Sequence, residues 1–521
     1  MTDEWHPQHN PWLIALTVTL ATFMEVLDTS IANVSLPHIA GNLSAGVDES
    51  TWILSSYLVA NAIVLPLSAW FSSLIGRKNY YMLSVLLFTG SSLLSGLAPS
   101  LGWLVTFRIM QGLGGGGLQP SEQAILADTF PREKLGMGMA VYGVAVVTAP
   151  ILGPTLGGWI TDNFSWRWIF FINIPVGILS LFLTSKMIED PPEFRRRSYS
   201  GLKIDYIGLA MITLGIGALQ FVLDKGQRLD WLDSHLITAL AATSAAALLF
   251  AIYWETRQPD PMIDFRLLGE RNFAISCTLM FMLGVLLFGS TVILPLFLQT
   301  LMGYSATTAG MVLSPGGLVT MACMPLVGFL LSKVQPKWLI AGGLLIVGTS
   351  LIHMSHFSLQ IDYRTAMLAR VLQASGLAFL FIPINTASFA LVPPEKRNQA
   401  SGLINLSRNL GGSVGIAYAA TLLERYSQQN QSVLSAHMTS TSPAYQAGLA
   451  RTVRGLMWHG QTALQATPIA QGIFYRQLIR QATMLAYVNV FHLMAMACFT
   501  TLILVFFLKK SNLKKADIPV H

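Results

Sequence analysis

The dominant pattern along the chain is the recurrence of long apolar stretches separated by short polar segments. A transmembrane helix needs about 20 mostly apolar residues. Fourteen stretches meet that length: Trp12–Leu36, Thr51–Ser73, Tyr80–Leu97, Leu101–Ala127, Gly136–Ile160, Trp168–Ile188, Tyr206–Leu223, Leu236–Trp254, Phe273–Leu301, Thr307–Leu331, Leu339–His356, Ala366–Leu391, Ala400–Leu423 and Met484–Leu508. The expected fold class is therefore an all-α polytopic membrane protein with 14 transmembrane helices. The first stretch lacks a basic leader and a small-residue cleavage site, so it reads as a retained span and not as a signal peptide. One polar segment is unusually long. Residues 427–481 are Gln-rich, with amphipathic stretches at Tyr445–Gln465 and Ile473–Ile479, and predict a partly helical hairpin outside the membrane.

Composition sharpens this picture. Of 521 residues, 53% are hydrophobic and 11% charged, against about 25% charged in an ordinary soluble domain. So little polar surface excludes a soluble enzyme, a disordered chain or a fibrous protein. The three cysteines, Cys277, Cys323 and Cys498, all lie in apolar stretches and offer neither a disulfide framework nor a metal site.

The net charge of +7 is a topology signal and gives no reason to expect nucleic acid as a partner. With the N-terminus inside, the inside segments carry 20 of the 32 Lys and Arg residues, including Arg77, Lys78, Lys134, Lys333, Lys337, Lys396, Arg397 and the tail lysines. The short outside loops carry four: Arg167, Lys225, Arg228 and Arg364. By the positive-inside rule both termini are cytoplasmic.

The chain also repeats itself. A shift of 262 residues superposes Arg108 on Arg370, Gln111 on Gln373, Gly114 on Gly376, Pro131 on Pro393, Glu133 on Glu395, Lys134 on Lys396 and Gly153 on Gly415. Internal repeats are a hallmark of transporters. They divide the chain into a cytoplasmic N-terminus 1–11, a six-helix bundle 12–188, a linker 189–205, two extra helices 206–256, a linker 257–271, a second six-helix bundle 272–508 containing the outside segment 427–481, and a tail 509–521.

Charges inside spans are the candidate chemistry, because each costs about 2.5–3.5 kcal/mol at a helix centre and must face protein or water. Glu25 and Asp28 lie one turn apart midway along the first span. A carboxylic acid in a semi-dry cavity can exchange protons near neutral pH, so this pair is a candidate proton carrier. The competing reading is a static ion pair with Arg108. In the fourth span, helical spacing places Gly112, Gly115, Gln119 and Glu122 within about 40° of Arg108, as a cavity wall would require. Glu122 has the alternative of a solvated position near the inner interface. The run Pro150, Gly153, Pro154, Gly157 and Gly158 in the fifth span predicts a kinked, closely packed helix. Gly157 and Gly158 are expected to mark a contact between the two bundles.

Four motifs together resemble a family. Leu27-Asp28-Thr29-Ser30-Ile31-Ala32-Asn33-Val34-Ser35-Leu36-Pro37, Arg108-Ile109-Met110-Gln111-Gly112, Gly153-Pro154 with Gly157-Gly158, and Trp166-Arg167-Trp168-Ile169-Phe170-Phe171-Ile172-Asn173-Ile174-Pro175 are similar to motifs of the fourteen-helix drug/proton antiporters of the major facilitator superfamily, EmrB-type branch. The likeness covers nearly the whole chain. It implies the major facilitator fold, two six-helix bundles plus two extra central helices, in a bacterial inner membrane. It implies proton-driven efflux of lipophilic compounds by alternating access, with no cofactor beyond the proton gradient. Asp28 and Arg108 would be coupling residues, and a cavity between the bundles the drug site. Gln111, Gly112, Gln119, Glu122, Arg370, Gln373 and Asn33 form the candidate substrate-binding set. A periplasmic adaptor and an outer-membrane channel are the partners implied for a two-membrane bacterium.

One departure from the pattern lies between the second and third spans. Ser73 and Leu74 stand where the superfamily carries an Asp-Arg pair before Gly76-Arg77-Lys78, which removes the expected charge latch there. The alternatives to export are a proton-coupled importer of the same fold, which the fifth-span motif disfavours, and a membrane enzyme. The enzyme reading lacks clustered metal or nucleophile residues, since His353 and His356 are the one helical histidine pair.

Overall fold

The structure, a computed structural model, describes residues 8–131, 134–190, 205–259, 261–389, 392–393, 396–439 and 441–509. Glu133 and Glu395 of the repeat, most of the N-terminus, the linker around Arg195–Arg197 and the basic tail lie outside the described residues. Among the described residues the chain is almost entirely helical, with no strand.

The principal helices are α1 (Pro11–Asn42), α2 (Trp52–Ile75), α3 (Arg77–Leu97), α4 (Leu101–Gly115), α5 (Leu118–Thr129), α6 (Leu135–Asn163), α7 (Asn173–Met187), α8 (Tyr206–Lys225), α9 (His235–Arg257), α10 (Arg271–Thr300), α11 (Ala306–Leu330), α12 (Pro336–Met354), α13 (Tyr363–Phe389), α14 (Arg397–Ser435), α15 (Pro443–Trp458) and α16 (Ala463–Val505). Local chemistry sets several starts. Asn10 caps α1, its side chain accepting from the Trp12 amide at 2.9 Å, with Pro11 in the first turn, where its missing N–H costs nothing. Asp205, Ser234, Glu270 and Ser305 cap α8, α9, α10 and α11 in the same way.

All fourteen apolar stretches fall on helices. Among the described residues eleven helices are long and apolar enough to cross a membrane, or up to twelve if α6, bent by 48° between Pro150 and Thr155, counts as one span. The two stretches that fall short are α4 with α5, divided at Gly116 and Gly117, and α14. Both carry buried polar side chains, among them Arg108, Gln111, Gln119, Glu122, Asn398, Ser401, Asn405 and Arg408, so interior chemistry lowers their apolarity.

The repeat is visible in the packing. In the first bundle α1 packs on α6, α2 and α3 pack on α4, and α3 packs on α7. In the second, α10 packs on α14, α11 and α12 on α13, and α12 on α16. Gly114 lets α4 approach α3, where a Cβ would lie 2.6 Å from the Phe88 nitrogen. Its counterpart Gly376 lets α13 approach α12, where a Cβ would lie 2.9 Å from the Val347 nitrogen. The extra pair α8 and α9 packs on itself, and α8 lies against both α2 and α14.

The bundles meet along α6 with α11 and α2 with α14. Their polar contacts concentrate toward the end that carries most of the loop Lys and Arg residues, here called the basic end. Arg397 Nη1 donates to Asp128 Oδ1 at 2.7 Å, Asn398 Nδ2 to Ser72 Oγ at 3.1 Å, and Ser401 Oγ to the Pro120 carbonyl at 2.9 Å. Gly136 and Gly328 pack face to face there, a Cβ on Gly328 standing 3.1 Å from the Gly136 carbonyl oxygen. Asp128 also pairs with Arg77. The loop that lost its expected Asp-Arg pair is thus latched by another acid, with Asp128 joining Arg77 of its own bundle to Arg397 of the other.

The segment 427–481 is helical, as expected, but over more of its length: α14 runs on to Ser435, α15 forms a separate helix, and α16 starts at Ala463. The stretch Tyr445–Gln465 is interrupted after Trp458, where Gly460 adopts φ +88° to turn the chain. Ile473–Ile479 belongs to the continuous α16. Tyr445 packs edge-on against Phe474 at 5.6 Å, and Asn430 Nδ2 donates to the Ala482 carbonyl at 3.3 Å.

A candidate transport site of buried acids and arginines

Burial of a charge in an apolar bundle requires a partner, and the first bundle supplies it by bringing α1, α2, α4 and α7 together. Asp28 is 2% exposed and Arg108 0%. Arg108 Nη1 donates to Asp28 Oδ2 at 2.6 Å and to Gln111 Oε1 at 2.7 Å. Asp28 Oδ1 accepts from Gln111 Nε2 at 3.1 Å and from Asn173 Nδ2 at 2.7 Å. Arg108 Nε donates to the Ile53 carbonyl at 3.2 Å, and the guanidinium lies 4.3 Å from the centre of the Tyr57 ring.

Glu25, one turn earlier on α1, belongs to a different network. Its Oε2 accepts from Gln119 Nε2 at 2.6 Å. Its Oε1 accepts from Tyr57 Oη and Asn61 Nδ2, both at 3.1 Å. Gln119 Oε1 in turn accepts from Arg408 on α14, and Arg408 Nη1 donates to Tyr142 Oη at 3.1 Å. A single amide therefore couples Glu25 of the first bundle to a guanidinium of the second.

The two carboxylates do not act on a shared partner, as a common helical face would suggest. Between Arg108 and Gln119 lies the glycine run 114–117, which packs closely on its neighbours. A Cβ on Gly116 would lie 2.6 Å from the Asn61 carbonyl oxygen, and one on Gly117 would lie 2.4 Å from Ser84 Oγ. Three helices meet at this run, where the fourth span is divided into α4 and α5 although Gly116 and Gly117 keep helical backbone angles. Arg108 before the run reaches Asp28, while Gln119 after it reaches Glu25.

The structure also decides between the two readings of Glu122. It is 0% exposed and its Oε1 accepts from Thr19 Oγ1 at 2.6 Å, so the solvated alternative fails. Gly112 provides close packing of α4 on α2, where a Cβ would stand 2.4 Å from the Tyr57 carbonyl oxygen. Asn33 is exposed, toward the end of α1 remote from the basic end.

The fifth-span motif sits differently from expectation. A Cβ on Gly153 would stand 2.2 Å from Ser30 Oγ, and one on Gly157 would stand 3.0 Å from Ile31. The Pro150 carbonyl accepts from Ser30 Oγ at 3.0 Å. These residues fasten α6 to α1 within the first bundle, and Gly158 faces open space. The expectation that Gly157 and Gly158 mark the contact between bundles is therefore wrong. The phase of α6 turns Gly153 and Gly157 toward α1, and Gly136 and Gly143 face the second bundle instead. Of this motif, the Pro154 side chain lies outside the described residues.

Arg370 and Gln373 reproduce part of the first-bundle site, with Arg370 Nη1 donating to Gln373 Oε1 at 2.6 Å. Arg370 lines a narrow cleft between the bundles with Thr291, Thr320, Phe288, Val147 and Pro150.

Sequence reasoning passed over Tyr57, Asn61, Tyr142 and Asn405, and quoted Asn173 within a motif without a role. Tyr57 and Asn61 carried a signal, being one helical turn apart in the second span. Tyr142 and Asn405 carried none, since their role depends on which helix of the other bundle they meet.

A helical bundle pair with buried ionic networks and a cleft at their interface defines a multi-span membrane transporter. The sequence pattern of the Major Facilitator Superfamily matches residues 18–416. The chain is 34% identical to the multidrug export protein EmrB of Escherichia coli (strain K12) over 92% of its own length and 93% of the relative's. It is 36% identical to the fatty acid resistance protein FarB of Neisseria gonorrhoeae over 86% and 87%. The solved proton:xylose symporter XylE superposes with a TM-score of 0.60 over 96% of both chains at 15% identity, which speaks to the fold alone. The chain belongs to the major facilitator superfamily, in its EmrB-type branch.

Proposed function

We propose that the protein exports amphipathic drugs across the inner membrane, driven by inward proton flow, by alternating access between its two bundles. Its place among multidrug export proteins over nine-tenths of its length supports export. The observation that carries the proton-coupled part is the chain Glu25–Gln119–Arg408, which ties a buried carboxylate to a charge on the opposite bundle.

In the conformation observed, the bundles are latched at the basic end by Asp128 with Arg397 and by the Asn398, Ser401 and Asn405 contacts. Opening that end must part Arg408 from Gln119. The charge environment of Glu25 then changes with access, and proton exchange there is coupled to the rocking movement. Asp28 stays within its own bundle, and its protonation acts through its bonds to Arg108 and Gln111 of α4 and Asn173 of α7. No covalent step is required.

The outer helices suit a partner beyond the bilayer. With 43 residues, α16 is about 65 Å long at 1.5 Å per residue, about twice the hydrocarbon thickness of about 30 Å. Together with α14 and α15 it projects from the end opposite the basic one. Trp458 is 90% and Leu464 91% exposed near the tip, which suits contact with a periplasmic adaptor leading to an outer-membrane channel.

The test is growth of an efflux-deficient host expressing the chain against cationic, neutral and weakly acidic compounds, with and without collapse of the proton gradient. Resistance that survives the collapse would refute proton coupling; no resistance to any compound would refute export.

A further inference from the structure

The repeat sets Asp28 of the first bundle on Ser290 of the second, although Arg108 and Arg370 are both arginine. In the first bundle the guanidinium has its acid 2.6 Å away. In the second, Arg370 is 2% exposed and forms no ion pair among the described residues. Its Nη1 reaches Gln373 Oε1 at 2.6 Å and Ser290 Oγ at 3.5 Å. Its Nη2 reaches Thr291 Oγ1 at 3.4 Å, and its Nε has no acceptor. Every partner is a neutral oxygen, and two of the three contacts are long.

A buried guanidinium keeps its proton at any physiological pH and is costly without a counter-ion. The Nε/Nη2 edge carries the free donor and no contact shorter than 3.4 Å, whereas Nη1 has the short bond to Gln373, and this planar fork matches a carboxylate bidentately. The cleft into which Arg370 faces is otherwise mostly apolar. Phe288 and Leu287 come from the second bundle, and Val147 and Pro150 from the first. In this conformation it has room for little more than a water molecule, so a larger guest enters as the bundles part.

We propose that Arg370 is the anchor for the carboxylate of an amphipathic anionic substrate, which supplies from outside the counter-charge that Asp28 supplies internally in the first bundle. The apolar body of the substrate lies along Phe288, Leu287 and Val147. The proposal assigns the residue that binds the charged head of such a substrate and rests on the export reading only for the direction of transport.

The test is calorimetric binding to the purified full chain in lipid nanodiscs, which needs no gradient and so stands apart from export. Octanoate, octanol and octyltrimethylammonium share one hydrocarbon chain and differ in head charge. Octanoate should bind the native protein at least tenfold more tightly than octanol. Ser290→Asp restores the internal acid and should weaken octanoate at least tenfold while leaving octyltrimethylammonium within twofold. Arg370→Gln should do the same, and Arg370→Lys should keep part of the affinity. The proposal is overturned if octanoate binds Ser290→Asp and Arg370→Gln as it binds the native protein. Equal loss of all three ligands in a folded variant would also overturn it, because the arginine would then be structural. Should Arg370→Gln fail to insert, Ser290→Asp with Ser290→Ala as its neutral control decides alone.

Discussion

Tyr57 sits between the two buried acids, its hydroxyl on Glu25 and its ring beneath Arg108. Tyr57→Phe removes one hydrogen bond and keeps the ring, so it should cost about 1 kcal/mol of stability. Efflux should fall by only a few-fold, measured as drug accumulation at equal expression; complete loss would mean that the hydroxyl itself carries the proton. Asp28→Asn is harsher. It leaves Arg108 buried without its acid, and removing one member of a buried pair costs roughly 3–5 kcal/mol. Thermal stability should drop and proton-driven efflux should vanish. Adding Arg108→Gln removes the stranded charge and should recover the stability without recovering efflux. If the double variant pumps drug, the pair is structural. Arg108→Lys keeps the charge without the planar fork that reaches Asp28 and Gln111 at once, and should retain partial activity.

At the scale of elements, the contrast between Gly157 and Gly158 is the sharpest test of how α6 is placed. Gly157 abuts Ile31 of α1, whereas nothing lies within 4 Å of a Cβ at Gly158. Gly157→Leu should therefore disrupt the α1–α6 contact, lowering insertion, binding and transport together. Gly158→Leu should be tolerated, with near-native accumulation kinetics. Equal block of transport by both, with binding intact, would return the motif to the interface between bundles. The α14–α15–α16 hairpin makes a second prediction at this scale. Replacing residues 439–461 with a short Gly/Ser linker should abolish resistance in whole cells but spare transport in proteoliposomes, where no adaptor takes part. Loss in both would mean that the hairpin is needed for the fold.

For the whole molecule, the population of access states hangs on the contacts at the basic end. Asp128 holds Arg77 and Arg397 at once, so Asp128→Asn weakens two pairs with one substitution. A loss of about 1.4 kcal/mol of latch energy would change the ratio of states about tenfold. Spin labels at Ser73 and Gln399, across α2 and α14, should show a longer distance gaining population in Asp128→Asn. An unchanged distance distribution would mean that apolar packing of α6 on α11 alone keeps this end shut. High salt should have little effect on the native latch, because Arg77 is 2% exposed and such pairs are poorly screened.

Much of this architecture follows from the sequence by itself. Hydrophobic length fixes spans, since backbone groups in lipid must bond within their own helix; all fourteen stretches are helical. The 262-residue shift anticipated the matching helix contacts of Gly114 and Gly376. It also anticipated the matching Arg-to-Gln bonds at 108–111 and 370–373. The cost of a midspan charge correctly singled out Glu25, Asp28 and Arg108 as buried. What the sequence could not decide was direction. Helical spacing put Arg108 and Gln119 on one face of the fourth span, but only the packing of that face on α1 decides that Arg108 meets Asp28 and Gln119 meets Glu25. The fifth-span glycines signalled close packing without saying against which helix, and only the phase of α6 turns them to α1. Arg408 lies inside the thirteenth apolar stretch, and nothing in the sequence names its partner. Its link to Glu25 through Gln119 exists only because two distant bundles meet there, and a contact between residues 289 positions apart leaves no local mark on either segment.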